Sequence, residues 1–189
     1  MNEIVSDREK LAKALGQILW GYAMLHLDIN LGSIDILPNW LGFYFFYKAL
    51  SAIAETEPSA GLLKPLCIIL GGWEGLLWVG KILGIVSAGI ILTTISTVLR
   101  LYFFFQLLTN IADAAEKFGC PGKKKLLTLR TVQTITLTAF SVPINWEKIQ
   151  AAAIMIGITN LIILIWLCAV IASARKFLKE PVPEATEPE

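Results

Sequence analysis

Charge is scarce in this chain. Asp, Glu, Lys and Arg make up 16% of its 189 residues, against the roughly 25% usual for soluble domains. Hydrophobic residues make up 56%, and the mean hydropathy is +0.66. A soluble core absorbs a few apolar helices, not apolar runs over most of a chain, so this balance excludes an ordinary soluble domain. There is one histidine, and the three cysteines, Cys67, Cys120 and Cys168, stand far apart. Without a C-x-x-C or H-E-x-x-H spacing, neither a disulfide framework nor a zinc site is indicated, and the cysteines read as small buried hydrophobes. No P-loop and no G-x-G-x-x-G is present, and a net charge of +1 gives no global attraction to nucleic acid. No nucleophile–base pair or metal-ligand set is readable, so the chain reads as a non-enzyme without catalytic residues, metal or cofactor.

Long apolar runs are what the chain does have. About 20 residues cross a bilayer core as a helix, and six runs come close. They cover about 11–29, 36–54, 61–80, 82–109, 126–144 and 150–172. Threonines crowd the fifth, which makes it the weakest. The first thirteen residues are polar and mixed in charge, and no small-residue cleavage site follows, so the first run reads as a retained span. The fold class expected is all-α, a polytopic transmembrane helix bundle of about six spans. Residues 1–179 would form one membrane domain, and the tail 180–189, rich in proline and glutamate, should be disordered.

The basic residues orient the bundle. With a cytoplasmic N-terminus the inside holds Arg8, Lys10, Lys13, Lys48, Lys64, Lys117, Lys123, Lys124, Lys125, Arg130, Arg175, Lys176 and Lys179. The outside holds only Lys81 and Lys148. Thirteen against two satisfies the positive-inside rule with both termini in the cytoplasm. Five spans, with the fifth run in the interface, is the alternative, and it would put the C-terminal cluster outside. The basic stretch around Lys123, Lys124 and Lys125 reads first as a topology signal and second as a contact for anionic headgroups.

Within this frame 27–42, LDINLGSIDILPNWLG, faces outside. Gly32 and Ser33 break the first helix, and Pro38 fits the first turn of the second. Asp35 is placed to cap that helix, and Trp40 to anchor it at the interface. The pattern D-x-N-x-G starts like a calcium loop, but its glycine spacing is wrong and Asn39 stands where the closing glutamate belongs. That leaves Asp28 and His26 unexplained at the outer end of the first span.

Glu74, in GGWEGL, is the sharper case. An ionisable residue at the centre of a span costs about 2.5–3.5 kcal/mol on insertion. It must find water, a proton or a partner, and an intramembrane carboxylate is a functional hypothesis by default. Asp28, Asp35, Glu74 and His26 therefore form the candidate ion- or proton-binding set on an outer face with few basic residues. Gly71 and Gly75 in the same run have GxxxG spacing, which permits close helix packing. Arg100 is the basic residue deepest inside a run, on a face with Thr93 and Thr97. Thr131, Thr134, Thr138 and Ser141 make a second polar stripe, and Asn160 a polar point in the sixth run. These stripes read as interhelical glue more than as a pathway. A Glu74–Arg100 salt bridge is disfavoured: at about 1.5 Å of rise per residue, Glu74 falls in the outer half and Arg100 in the inner half.

The run DINLGSIDILPNWLGFYFFYKAL followed by LLKPLCIILGGWEG resembles a group of uncharacterised small polytopic membrane proteins of Gram-positive bacteria. The resemblance covers the first three spans and implies a bacterial plasma membrane, without an activity or functional residues to carry over. From the residues themselves the expected function is a small transporter or channel-like protein for a cation or protonated solute, with Glu74 at its centre. The alternative is a non-catalytic membrane scaffold or accessory subunit of a larger complex. The expected partners are the lipid bilayer and, for so short a chain, further copies of itself.

Overall fold

The structure is a computed structural model that describes residues 2–27, 30–31, 34–35, 37–85, 89–141 and 149–180. Asp28 and the tail from residue 181 lie outside these. Six helices follow one another: α1 Asn2–His26, α2 Trp40–Thr56, α3 Lys64–Leu83, α4 Ile90–Glu116, α5 Lys123–Ser141 and α6 Gln150–Lys179. A 3-10 helix, Pro58–Leu63, leads into α3. The short strands β1 (Asn30–Leu31) and β2 (Ile34–Asp35) pair antiparallel between α1 and α2. The all-α reading holds. Among the described residues, three segments are long and apolar enough to cross a membrane: Pro58–Leu83, Ile91–Glu116 and Gln150–Lys179. At about 1.5 Å per residue the 17 residues of α2 reach about 25 Å, short of a ~30 Å hydrocarbon core unless its flanks contribute.

Several boundaries differ from the expected runs. α1 begins in the polar N-terminal stretch, because nothing there breaks a helix and its charges find partners at the bundle end. Lys10 reaches Glu55 at 2.8 Å, and Arg8 donates to the Phe177 carbonyl at 3.0 Å. The fourth helix starts eight residues later than expected. Gly84 closes α3 in the left-handed conformation (φ +67°), where a Cβ would be strained, and Gly89 precedes α4 in an extended one. Asp35 lies four residues before the cap position of α2. It pairs with Asn30 in the hairpin, and Asn39 takes the cap position instead.

The helices form a ring in sequence order, and α6 returns to pack on α1. The α3–α4 seam is sparse, whereas α1–α2 is the most extensive. Two glycines make that closeness possible. A Cβ on Gly21 would lie 2.5 Å from the Phe46 ring, and one on Gly42 2.9 Å from the Gly21 carbonyl. The Gly71/Gly75 pair is used less tightly. A Cβ on Gly71 would meet Phe43 at 3.0 Å, while at Gly75 the nearest atom is 3.9 Å away.

The core gathers at the end that holds both termini. Leu11, Leu15 and Ile18 of α1 are buried there with Phe46, Leu50 and Ile53 of α2, Phe103, Leu107 and Ile111 of α4, and Leu167 and Ile171 of α6. Ion pairs bind the same end. Lys117 meets Glu57 at 2.9 Å, and Lys123 meets Asp113 at 2.8 Å. At the opposite end Leu83, Ile85, Ile91, Ile95 and Ile154 are exposed.

Candidate functional site

Among the described residues only three polar or charged side chains are classed as buried: Glu74, Asn110 and Gln133. Glu74 is 5% exposed on α3 and is held from two sides. The Arg100 guanidinium of α4 forms an ion pair with one carboxylate oxygen. Asn39, at the start of α2, donates from Nδ2 to the other at 3.2 Å. This corrects the depth argument against a Glu74–Arg100 bridge. Glu74 lies nine residues before the end of α3 and Arg100 ten residues after the start of α4, so the two stand level across the turn at Gly84. Asn39 was readable in the sequence only as a turn residue. Its place at the α2 cap, without a side-chain cap bond, leaves its amide free for the carboxylate.

Arg100 also borders a cavity of about 510 Å³ among α1, α4, α5 and α6. Its polar lining includes Tyr22, His26, Thr97, Arg100, Gln133 and Asn160. His26 thus joins this cavity, while Glu74 does not line it. Tyr22 is 1% exposed; its ring stacks on Phe104 (5.6 Å between centroids) and meets Phe46 edge-on (5.4 Å), and its hydroxyl has no hydrogen-bond partner. The Asn160 amide nitrogen donates to the Ile156 carbonyl at 3.1 Å, leaving Oδ1 unpartnered. Arg100 Nε is likewise buried without a partner. His26 Nδ1 lies 2.9 Å from the Tyr22 carbonyl. Of the four outer acids and bases, Glu74 pairs with Arg100 and His26 lines the cavity; the Asp28 and Asp35 side chains are outside what is described.

The threonine stripes turn out to be local. Thr97, Thr131 and Thr134 each donate to the carbonyl four residues back in their own helix, at 2.8–2.9 Å. Ser141 does the same with Leu137 at 2.7 Å, and Thr138 is exposed. Such bonds satisfy a hydroxyl in an apolar setting without joining helices. Apart from Arg100 on Glu74, the bonds that do join helices come from residues outside the stripes. Arg130 donates to Thr109 at 2.7 Å and lies 3.9 Å over the Phe105 ring. Ser59 donates to Asn110 at 3.1 Å. At the ionic end, hydrogen bonds that Lys123 donates to Asp113 and Glu116 push it up to about 12, and Lys117 with Ser59 holds Glu57 below the usual carboxylate range.

The comparisons with known proteins find no matching family model, no matching curated protein and no matching solved structure.

Proposed function

We propose that the chain is a multi-pass protein of a bacterial plasma membrane that carries a proton or a protonated solute, with Glu74 as the protonation site. In this reading all six helices span, α1 and α2 with their flanks included, and both termini face the cytoplasm. The thirteen basic residues on that side support the orientation. Of these, Lys124 and Lys125 are exposed and available to anionic headgroups.

One observation carries the reading: a buried carboxylate whose charge partner also borders a polar cavity. Two unpaired charges in lipid are expensive, so the pair is stable while both are ionised. Protonating Glu74 removes the attraction and frees the guanidinium. The α3–α4 seam is sparse elsewhere, so a change in this pair acts where little else holds the helices together. The other titratable groups on elements packed against α3 are Tyr44, Tyr47, Lys48 and Glu55 on α2, Tyr102, Asp113 and Glu116 on α4 and Asp35 in β2. On α3 itself they are Lys64, Cys67 and Lys81. Among described contacts, only Arg100 forms an ion pair with Glu74.

The test is proton flux in proteoliposomes carrying a trapped pH dye. Wild type should dissipate a pH gradient faster than empty vesicles, and Glu74→Gln, folded by thermal melt, should not. Equal rates for wild type, mutant and empty vesicles would end the transport reading. The alternative, an accessory subunit, is favoured by a separate feature: an exposed apolar groove of about 830 Å³ along α2 and α3, lined by Trp40, Tyr44, Tyr47, Gly71, Gly75 and Trp78.

A further inference from the structure

The geometry points to the cavity among α1, α4, α5 and α6 as the binding site for a small aliphatic carboxylate, held by Arg100 and Tyr22. This deepens the transport reading by naming its solute class, and it rests on that reading only for movement across the membrane.

The cavity, at about 510 Å³, lies within the ~300–1,000 Å³ range of small-molecule sites. Three of its polar groups are unfinished. Tyr22 is buried with a hydroxyl that has no partner, and Arg100 Nε and Asn160 Oδ1 are also unpaired. A buried polar group without a partner is costly, and such groups rarely persist without a ligand, water or ion to satisfy them. Two of the three are donors, and one of these belongs to a guanidinium, whose planar fork matches a carboxylate. Asn160 Oδ1 is an acceptor and suits a ligand hydroxyl or a bridging water. The remaining wall, including Leu25, Phe104, Leu137 and Leu161, is apolar and suits a short hydrocarbon body.

The charges balance. At rest Arg100 neutralises Glu74. A carboxylate that enters the cavity offers Arg100 a second partner. A proton taken up by Glu74 then lets the guanidinium transfer its ion pair to the ligand. The added proton and the added anion together carry no net charge, so the loaded site is as neutral as the empty one. In a low-dielectric site that neutrality avoids the large cost of an unpaired charge.

The test is binding by calorimetry, with the full chain in nanodiscs of phosphatidylcholine. The probes are sodium hexanoate, 1-hexanol and hexylammonium chloride. Hexanoate should bind saturably, and the alcohol and amine should not at the same concentrations. Tyr22→Phe keeps the ring packing and should weaken hexanoate about tenfold, as loss of one hydrogen bond to a charged group does. Nanodiscs doped with phosphatidylserine separate the two sources of a carboxylate. Competition with hexanoate would assign the site to a headgroup, and no competition to a free solute; in either case a carboxylate site is upheld. Equal binding of all three probes, or hexanoate binding unchanged in Tyr22→Phe, would overturn the inference, as would no binding at all. Glu74-dependent proton flux without hexanoate binding would sink this inference alone. Hexanoate binding without proton flux would sink transport and leave the site.

Discussion

The two ends of this bundle are built on different principles. At the end with both termini, large side chains from all six helices fill the interior, and ion pairs tie Lys10 to Glu55, Lys117 to Glu57 and Lys123 to Asp113. At the other end the helices spread. Their apolar residues face outward, and the interior holds a polar cavity and one buried ion pair instead of a packed core. A membrane permits this. Lipid covers apolar side chains as well as a protein core does, so helices need to touch only where a bond or a close fit makes contact worthwhile. The packed end fixes the helices, and the open end leaves a cavity between them.

Truncation should expose the contrast most strongly. Phe46→Ala, at a side chain with no exposure in the packed end, should cost about 3–5 kcal/mol in reversible unfolding. Leu161→Ala, at an exposed site in the open end, should cost under about 0.5 kcal/mol. Equal costs would mean that the two ends are packed alike. The ion pair is the exception within the open end. Arg100→Met should destabilise by about 2–3 kcal/mol, less than the ~3–5 kcal/mol for a fully buried pair, because Arg100 is 36% exposed. Adding Glu74→Gln should recover part of that loss, since no lone buried carboxylate then remains. No recovery in the double mutant would show that the two residues act separately.

Glycine substitutions sharpen the comparison further. Gly21→Ala drives a methyl into the Phe46 ring at 2.5 Å and should cost about 1–3 kcal/mol. Gly72→Ala meets nothing within 4 Å and should stabilise α3 by up to about 1 kcal/mol. Thermal melts of the two variants should therefore shift in opposite directions. The smallest effect belongs to the surface charges. Glu57 is held below its ordinary value by Lys117 and Ser59, so its contribution is present above the unfolded carboxylate range and is lost as pH falls through the lower folded value. Glu57→Gln should cost about 0.3 kcal/mol at neutral pH and nothing in strong acid. A pH-independent difference would remove the ion pair as its cause.

The helical class and the existence of six helices were legible in run length alone. The partnership of Glu74 was not, and the error has a definite size. Reading 82–109 as one span placed the start of the fourth helix eight residues early, about 12 Å along its axis. That shift moved Arg100 from the level of Glu74 into the inner half. The corrective signal was in the sequence: a run of that length exceeds what a bilayer needs, and Gly84 and Gly89 bracket a turn inside it. The threonine stripes misled for another reason. Spacing shows which side chains share a face, but a hydroxyl that reaches its own carbonyl four residues back spends its hydrogen bond at home. Asn39 gave no sign of its role, because only the return of α3 brings a carboxylate to it.

The ring of helices also sets an order of events. Each helix packs on the one made just before it, so most seams can close as the chain emerges. The seam between α1 and α6 cannot. Its contacts, Arg8 on the Phe177 carbonyl and Gly16 against the Arg175 guanidinium, wait for residues that follow the end of α1 by more than a hundred positions. At roughly 5–20 residues per second of synthesis, that flank of α1 stays uncovered for on the order of 10 s. The contacts that finally close it lie at the charged, termini-bearing end. One flank of the first helix thus stays half-covered until the last helix arrives.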